Sequence, residues 1–249
     1  TLSLEYKGHE DMVRAISTDP SGQFLLSGSD DCTVKIWEVN TGRCLRTIET
    51  GDVVRSVEWC PNSALNLILV GSGKRALLIN PKVGDFVVSS KTDSILAEEP
   101  RSGDDTIVSD RIKTTVQWSS PEGESYDRHG YRLVLTHFKD VGQVTWHGRG
   151  DYFASVMPEG LNRSVVINQL SKRRSQLPFA KSKGLVQCVL FHPTKPFLFV
   201  ATQRHVRIYD LLKQTLLKKL LTNSKWVSTM AVHPLGDNLL VGTYDRKML

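Results

Sequence analysis

The chain has 249 residues, of which 40% are hydrophobic and 23% charged, and its formal net charge is +6. This composition is typical of a globular protein, and the length suits one large all-β domain or two smaller ones. No apolar run approaches the roughly 18 to 20 residues that a membrane-spanning helix needs, so we expect no membrane partner. The cysteines Cys32, Cys44, Cys60 and Cys188 form no CxxC pair, which favours reduced thiols over disulfides or zinc.

The first 40 residues carry a complete set of WD-type residues. Gly8 and His9 precede the first predicted strand, and Trp37 closes a β-branched third strand. Between them, Ser27 ends the second strand and Asp31 stands in the tight turn that follows. This pattern is typical of a blade in a WD40 β-propeller. It predicts one chain of hydrogen bonds, the structural tetrad, formed by Asp31, His9, Ser27 and Trp37.

Similar inner strands recur along the chain and begin at Val13, Val54, Val144, Val186 and Val227. The residues that follow these strands, Pro20, Pro61, Gly148, Pro193 and Pro234, lie 41 to 45 residues apart, except for a spacing of 87 residues between Pro61 and Gly148. A period of about 40 to 45 residues is that of WD repeats. The sequence therefore predicts an all-β fold, a single WD40 β-propeller domain over 1–249 with five blades, the fifth cut off in mid-strand.

Residues 1–6 precede the first blade and are predicted to form an outer strand with no blade of its own. In closed propellers such a strand completes the last blade and removes a free sheet edge. We therefore expect the natural chain to continue for about two more blades, to a total of seven.

The later blades lack the full signature. In the third strand of the second and third blades, Asn80 and Asn168 end the segments where a tryptophan would stand. The fourth blade has Tyr209 there, and the fifth retains Tyr244 and Asp245 in its turn. We therefore predict that these blades depend mainly on the packing of apolar strands, at roughly 25 cal/mol per Å² buried, rather than on a polar tetrad.

The long spacing in the second blade indicates an insertion at 84–129. It contains ten acidic and five basic residues with few apolar clusters, so we predict an acidic, flexible or partner-ordered loop.

Because the whole chain has a net charge of +6, the propeller outside this insertion is strongly basic. In a propeller, the turns from first to second strand and from third to outer strand open on one face, here called the turn face. Its basic residues are Arg43, Arg149, Lys172, Arg173, Arg174, Lys195 and Lys213, and its acidic ones include Asp19, Asp151 and Asp237.

The densest basic group is Lys172, Arg173 and Arg174, and Lys181 and Lys183 follow at the other end of the same strand. Two interpretations remain open: an ordinary solvated surface, or a set of contacts to RNA phosphates with salt-dependent affinity.

Other arrangements do not indicate catalysis. His147, His192 and His233 recur at matching repeat positions, which places them on separate blades rather than in one metal site. No nucleophile elbow is present, and the glycines at 71–73 lie in a turn between strands rather than before a helix. We predict no catalytic residue, no metal, no cofactor and no small-molecule substrate.

Three stretches carry a family resemblance: QVTWHGRGDY at 143–152, LSKRRSQ at 170–176 and KWVSTMAVHPLGDN at 225–238. Together with the WD signature of the first blade, they closely resemble the C-terminal propeller of the block-of-proliferation family, also called eukaryotic ribosome biogenesis protein one. The resemblance spans nearly the whole chain apart from the insertion. It implies a non-catalytic scaffold for assembly of the large ribosomal subunit, located in the nucleolus and nucleoplasm.

The resemblance also implies partners: a pescadillo-type protein, a second WD-repeat protein and precursor ribosomal RNA. We expect RNA contacts at Lys172, Arg173, Arg174, Lys181 and Lys183, and protein contacts at Arg43 and Arg46, because arginine binds phosphate or carboxylate bidentately. The alternative is a generic WD40 adaptor, such as a ubiquitin-ligase substrate receptor or a chromatin-peptide reader, that binds a peptide at the central channel of the opposite face.

Overall fold

The structure is a computed structural model and describes residues 2–100, 108–181 and 184–249. These residues form five antiparallel sheets, each starting with an inner strand. The first sheet has four strands in sequential order. They are β1 (Val13–Thr18), β2 (Phe24–Ser29), β3 (Thr33–Glu38) and β4 (Cys44–Glu49).

The second sheet has five strands in the order β5-β6-β7-β9-β8, and the insertion between β7 and β9 supplies three helices and β8. Its elements are β5 (Val54–Trp59), β6 (Ile68–Ser72), β7 (Arg75–Ile79), α1 (Phe86–Ala97), α2 (Asp110–Lys113), β8 (Val116–Ser119), α3 (Glu124–Asp127) and β9 (Tyr131–His137).

The third and fourth sheets have four strands each, and the fifth has two within the described residues. The third contains β10 (Gln143–Trp146), β11 (Tyr152–Val156), β12 (Val165–Gln169) and β13 (Arg174–Gln176), with a short 3₁₀ helix at Leu161–Arg163. The fourth contains β14 (Val186–Phe191), β15 (Phe197–Thr202), β16 (His205–Asp210) and β17 (Thr215–Leu221). The fifth contains β18 (Val227–Val232) and β19 (Leu239–Thr243).

The prediction of an all-β array of WD-type blades is confirmed, and the five sheets do not close into a ring. Apolar side chains of adjacent sheets fill the space between them. Gly28 shows how closely they approach, because a Cβ at this position would come within 2.4 Å of the Val54 side chain. The blades therefore pack with little room for larger residues at this contact.

The first blade contains the structural tetrad. His9 Nδ1 lies 2.8 Å from Asp31 Oδ2, and His9 Nε2 lies 2.7 Å from Ser27 Oγ. Trp37 donates its indole N–H to the same Ser27 oxygen at 2.8 Å. The tetrad thus joins the loop before β1 to β2, β3 and the turn between them.

Residues 2–6 pair with no strand of the described residues, so their role as the outer strand of a further blade stays a prediction. They run beside the turn at Gly42, where a Cβ would come 3.3 Å from the Glu5 carbonyl oxygen. The Tyr6 hydroxyl donates to the Val39 carbonyl at 2.8 Å, and the Tyr6 ring packs edge-on against Trp37. The segment therefore stabilises the first blade by side-chain contacts.

The third blade contains a second polar chain that the sequence did not predict. The Trp118 indole donates to Ser175 Oγ at 2.8 Å, and this hydroxyl donates to Asn168 Oδ1 at 2.7 Å. Asn168 Nδ2 donates to Ser155 Oγ at 3.3 Å, and Ser155 Oγ lies 2.7 Å from His137 Nε2. The sequence predicted that this blade depends mainly on apolar packing, and the structure adds a polar network to that packing.

Strand register shows why the two networks are equivalent. Trp37 pairs with Leu25 and Asn168 pairs with Phe153, and in each case the bridging serine lies two residues further along the second strand. Asn168 therefore occupies the tryptophan position of the third blade. Trp118 supplies the missing indole and lies in β8, which belongs to the insertion of the second blade.

Buried His137 makes the third blade sensitive to acid. Its Nδ1 lies 3.1 Å from the Leu135 carbonyl oxygen, which fixes the proton on this nitrogen and leaves Nε2 to accept from Ser155. Burial lowers the pKa of His137 to about 4. Because the unfolded state binds a proton from about pH 6.5 downward, this residue contributes stability above pH 6.5 and loses it as the pH falls toward 4.

We expect this loss to amount to roughly 3 kcal/mol. Glu58 has the opposite effect on the pH dependence of the unfolding free energy, because burial raises its pKa to about 7. The measurement is therefore the difference in unfolding free energy between the wild type and His137→Gln, followed by urea denaturation from pH 7.5 to 4.5. The difference should shrink as the pH falls. A difference that is constant with pH would show that His137 does not titrate as described.

Candidate nucleic-acid interface

The insertion places helix α1 on the turn face of the second blade. Asp85 caps the N-terminus of α1 by accepting from the Val87 N–H at 2.7 Å. The helix has 12 residues and is therefore about 18 Å long. Its inner side buries Ser89, Thr92 and Leu96. Two of these three are polar, so an amphipathic apolar pattern does not reveal the buried side.

Polar contacts hold this helix to the blade. Asn66 donates its backbone N–H to Thr92 Oγ1 at 2.9 Å, and its side chain donates to Ser89 Oγ at 3.2 Å. Asn80 donates to the Ser89 carbonyl at 3.0 Å and to Asp93 Oδ1 at 2.7 Å. Asn80, one residue beyond the tryptophan position of the second blade, therefore anchors the insertion.

A bidentate ion pair completes the attachment. Arg132 donates to the two oxygens of Asp93 at 2.7 and 3.2 Å, and its guanidinium stacks 3.7 Å above the Tyr126 ring centroid. The Arg132 side chain is 2% exposed and that of Asp93 30%. Burial raises the pKa of Asp93, but the hydrogen bonds from Arg132 and Asn80 outweigh it and hold this pKa below its usual value.

The described part of the insertion therefore differs from the predicted flexible loop. Its few apolar residues favoured a loop, but hydrogen bonds and a buried ion pair replace apolar burial in fixing α1. The strand β8 adds a second attachment by pairing with the outer edge of β9. Residues 101–107, which carry Asp104 and Asp105, lie outside the described residues.

Arg173 has an intramolecular role. It donates to the carbonyl oxygens of Leu96 and Glu98 at the C-terminal end of α1. These carbonyls have no partner within the helix, and a cation suits the negative end of its dipole. The sequence predicted Arg173 as a phosphate contact, and the structure uses it as one of several links between the third blade and the insertion.

A groove of about 850 Å³ separates the insertion from the third blade. One wall comes from α2 and β8, and the other from Tyr152, β12 and the segment 172–176. Its cationic lining residues are Lys113, Lys172, Arg173 and Arg174, and none of the described lining residues carries a carboxylate. The groove is therefore a positively charged channel beside an insertion whose overall composition is acidic.

The other predicted phosphate contacts fall in different places. Lys172 is exposed at the turn-face end of the groove. Lys181 is exposed next to Ala180, whose carbonyl accepts from Arg111 beside the opposite end. Lys183 lies outside the described residues. The structure thus gathers Lys172 and Arg174 on one groove wall, with Lys181 outside it.

The two arginines predicted to contact protein differ in their surroundings. Arg43 is exposed in the turn between β3 and β4. Arg46 instead donates at 2.9 Å to the carbonyl oxygens of Pro81 and Arg128, so it joins the first blade to the insertion. Burial, followed by the charge of Arg132, lowers its pKa from the ordinary value.

In residues 2–100, 108–181 and 184–249, no three His, Cys, Asp or Glu side chains converge into a group that could hold a metal ion. Within the same ranges, none of the helices is long and apolar enough to cross a membrane.

The fold and the tetrad define an array of WD-type propeller blades, and residues 1–38 match the family model "WD domain, G-beta repeat". Over 99% of its length the chain is 66% identical to the "Ribosome biogenesis protein BOP1 homolog" of Drosophila grimshawi and 65% identical to that of Aedes aegypti. The resemblance to the block-of-proliferation family is thereby confirmed. The chain spans 31% and 28% of the length of these two relatives.

Proposed function

We propose that this chain acts in ribosome biogenesis as a non-catalytic WD40 scaffold that supports maturation of large-subunit precursor RNA and assembly of the precursor particle. The observation that carries this proposal is the 65 to 66% identity, over 99% of the chain, to proteins named for ribosome biogenesis. The blade architecture agrees with it, because propellers present several faces to different partners at once.

The partners follow from the family resemblance. They are a pescadillo-type protein, a second WD-repeat protein and precursor ribosomal RNA, and the proposed location is the nucleolus and nucleoplasm. For the protein contact, exposed Arg43 is the better candidate, since Arg46 is engaged within the chain. Arg43→Glu should therefore weaken binding of the second WD-repeat protein in a pull-down. An unchanged yield would contradict this assignment.

For the RNA contact we propose Lys172 and Arg174. The double variant Lys172→Gln/Arg174→Gln should bind precursor RNA more weakly, because two fewer phosphates are neutralised. The slope of log affinity against log salt should fall in magnitude by about 1.4 for single-stranded RNA. Fluorescence anisotropy between 50 and 200 mM salt, with the protein at its natural length, measures both quantities.

The matched control is Lys195→Gln/Lys213→Gln. These lysines are exposed in turns of the fourth blade on the same turn face and do not line the groove, so the variant removes the same charge outside it. It should retain most of the affinity and the salt slope. Equal losses in the two variants would indicate a general charge effect and would contradict the assignment to Lys172 and Arg174.

A further inference from the structure

The groove between the insertion and the third blade is lined by aromatic, apolar and amide groups as well as by cations. It can therefore contact other parts of a ligand besides phosphate groups. Cations stand on both of its walls, since Lys113 ends α2 on one wall, while Lys172 lies in the turn before β13 and Arg174 begins β13 on the other. Aromatic and apolar groups line the space as well, among them Tyr152, Trp118 and Ile112. Such a combination suits a ligand with regularly spaced negative charges and flat apolar faces.

Tyr152 is the available aromatic surface. This residue is 39% exposed at the start of β11, where it lines the groove. Trp118 is engaged differently, because its indole N–H bonds to Ser175 and its ring packs edge-on against buried Phe153 at 6.0 Å. Trp118 therefore shapes the wall, and Tyr152 offers a ring face to a ligand.

We propose that this groove binds single-stranded RNA, with a base stacked on Tyr152 and the backbone following Lys113, Lys172 and Arg174. Stacking of a base on an aromatic ring beside cations is the usual mode of single-strand recognition. The exposed amides of Gln117 and Gln176 in the groove can donate to and accept from base edges. This inference rests on the proposed function and names the form of RNA that the site takes.

Charge favours RNA over a protein segment as the occupant. The described lining residues include four cations and no carboxylate, although the surrounding insertion has twice as many acidic as basic residues. A duplex is a poorer ligand, because its paired and stacked bases cannot place a base face on a side chain within the groove. The groove thus selects unpaired nucleotides.

The test uses the protein at its natural length and a labelled oligouridine of about ten nucleotides. Tyr152→Ala should weaken binding about tenfold, while Tyr152→Phe, which keeps the ring, should bind like the wild type. Lys113→Gln should weaken binding and reduce the salt slope by about 0.7. An RNA duplex of equal length should compete poorly, and its affinity should not change in Tyr152→Ala. Equal thermal unfolding of the variants confirms that the fold is kept.

The outcomes separate this inference from the proposed function. Salt-dependent RNA binding that Tyr152→Ala leaves unchanged would overturn the groove assignment while the scaffold function stands. Absence of RNA binding in the wild type would overturn the proposed RNA contact and the groove assignment together. Displacement of the RNA by an oligoglutamate peptide, itself weakened by Tyr152→Ala, would show that the groove takes an acidic peptide and would also overturn the inference.

Discussion

Replacing Asp93 with alanine is expected to destabilise the protein by roughly 3 kcal/mol and to release helix α1 from the turn face. The substitution leaves the Arg132 guanidinium, which is 2% exposed, without its carboxylate partner. Asn80 loses an acceptor as well, and this side chain also holds the helix through Ser89. Urea denaturation measures the loss of stability, and hydrogen exchange over 86–97 measures the release of the helix.

The double variant Asp93→Ala/Arg132→Leu should recover part of this loss, because no unpaired buried charge remains. Glu124→Ala is the control, since it breaks the ion pair with Arg128 in the same insertion where both side chains are mostly exposed. It should change stability little. If Asp93→Ala and Glu124→Ala had the same small effect, the buried pair would not anchor the insertion.

Replacing Trp37 with alanine is expected to cost roughly 3 to 5 kcal/mol of unfolding free energy. The ring is 2% exposed, and Tyr6 packs edge-on against it. Its N–H also bonds to Ser27 Oγ, which joins it to His9. The variant therefore removes a large apolar volume and opens one end of the tetrad.

Trp37→Phe divides these two contributions. Phenylalanine keeps an aromatic ring in the blade but cannot donate to Ser27, so we expect a smaller loss of about 1 to 2 kcal/mol. Equal losses in the two variants would mean that the hydrogen bond dominates, and a neutral Trp37→Phe would mean that packing alone does. Urea denaturation monitored by far-ultraviolet circular dichroism measures both.

The blades could be predicted from sequence because each is built from local patterns. The tetrad residues lie within one repeat, and the inner strands recur at a fixed period. The alternation in Val116-Gln117-Trp118-Ser119 is also a strand pattern, so β8 carried a signal that the acidic composition of the insertion obscured.

The attachments of the insertion to the blades could not be predicted in this way. Asp93 and Arg132 are 39 residues apart, and Arg173 reaches carbonyl oxygens 75 and 77 residues away. No periodicity encodes such pairs, because they depend on how the insertion folds back over the turn face. Trp118 likewise completes the network of a blade to which it does not belong. The basic group Lys172, Arg173 and Arg174 was singled out from the sequence, but the opposite wall of the groove with Lys113 was not.

The most direct test of the proposed scaffold function is affinity purification of the natural-length protein from nuclear extract, with identification of the proteins and RNAs that co-purify. We predict recovery of a pescadillo-type protein, a second WD-repeat protein and large-subunit precursor RNA. Recovery of ubiquitin-ligase or chromatin components without ribosomal precursors would leave the blade architecture intact and contradict the proposed function.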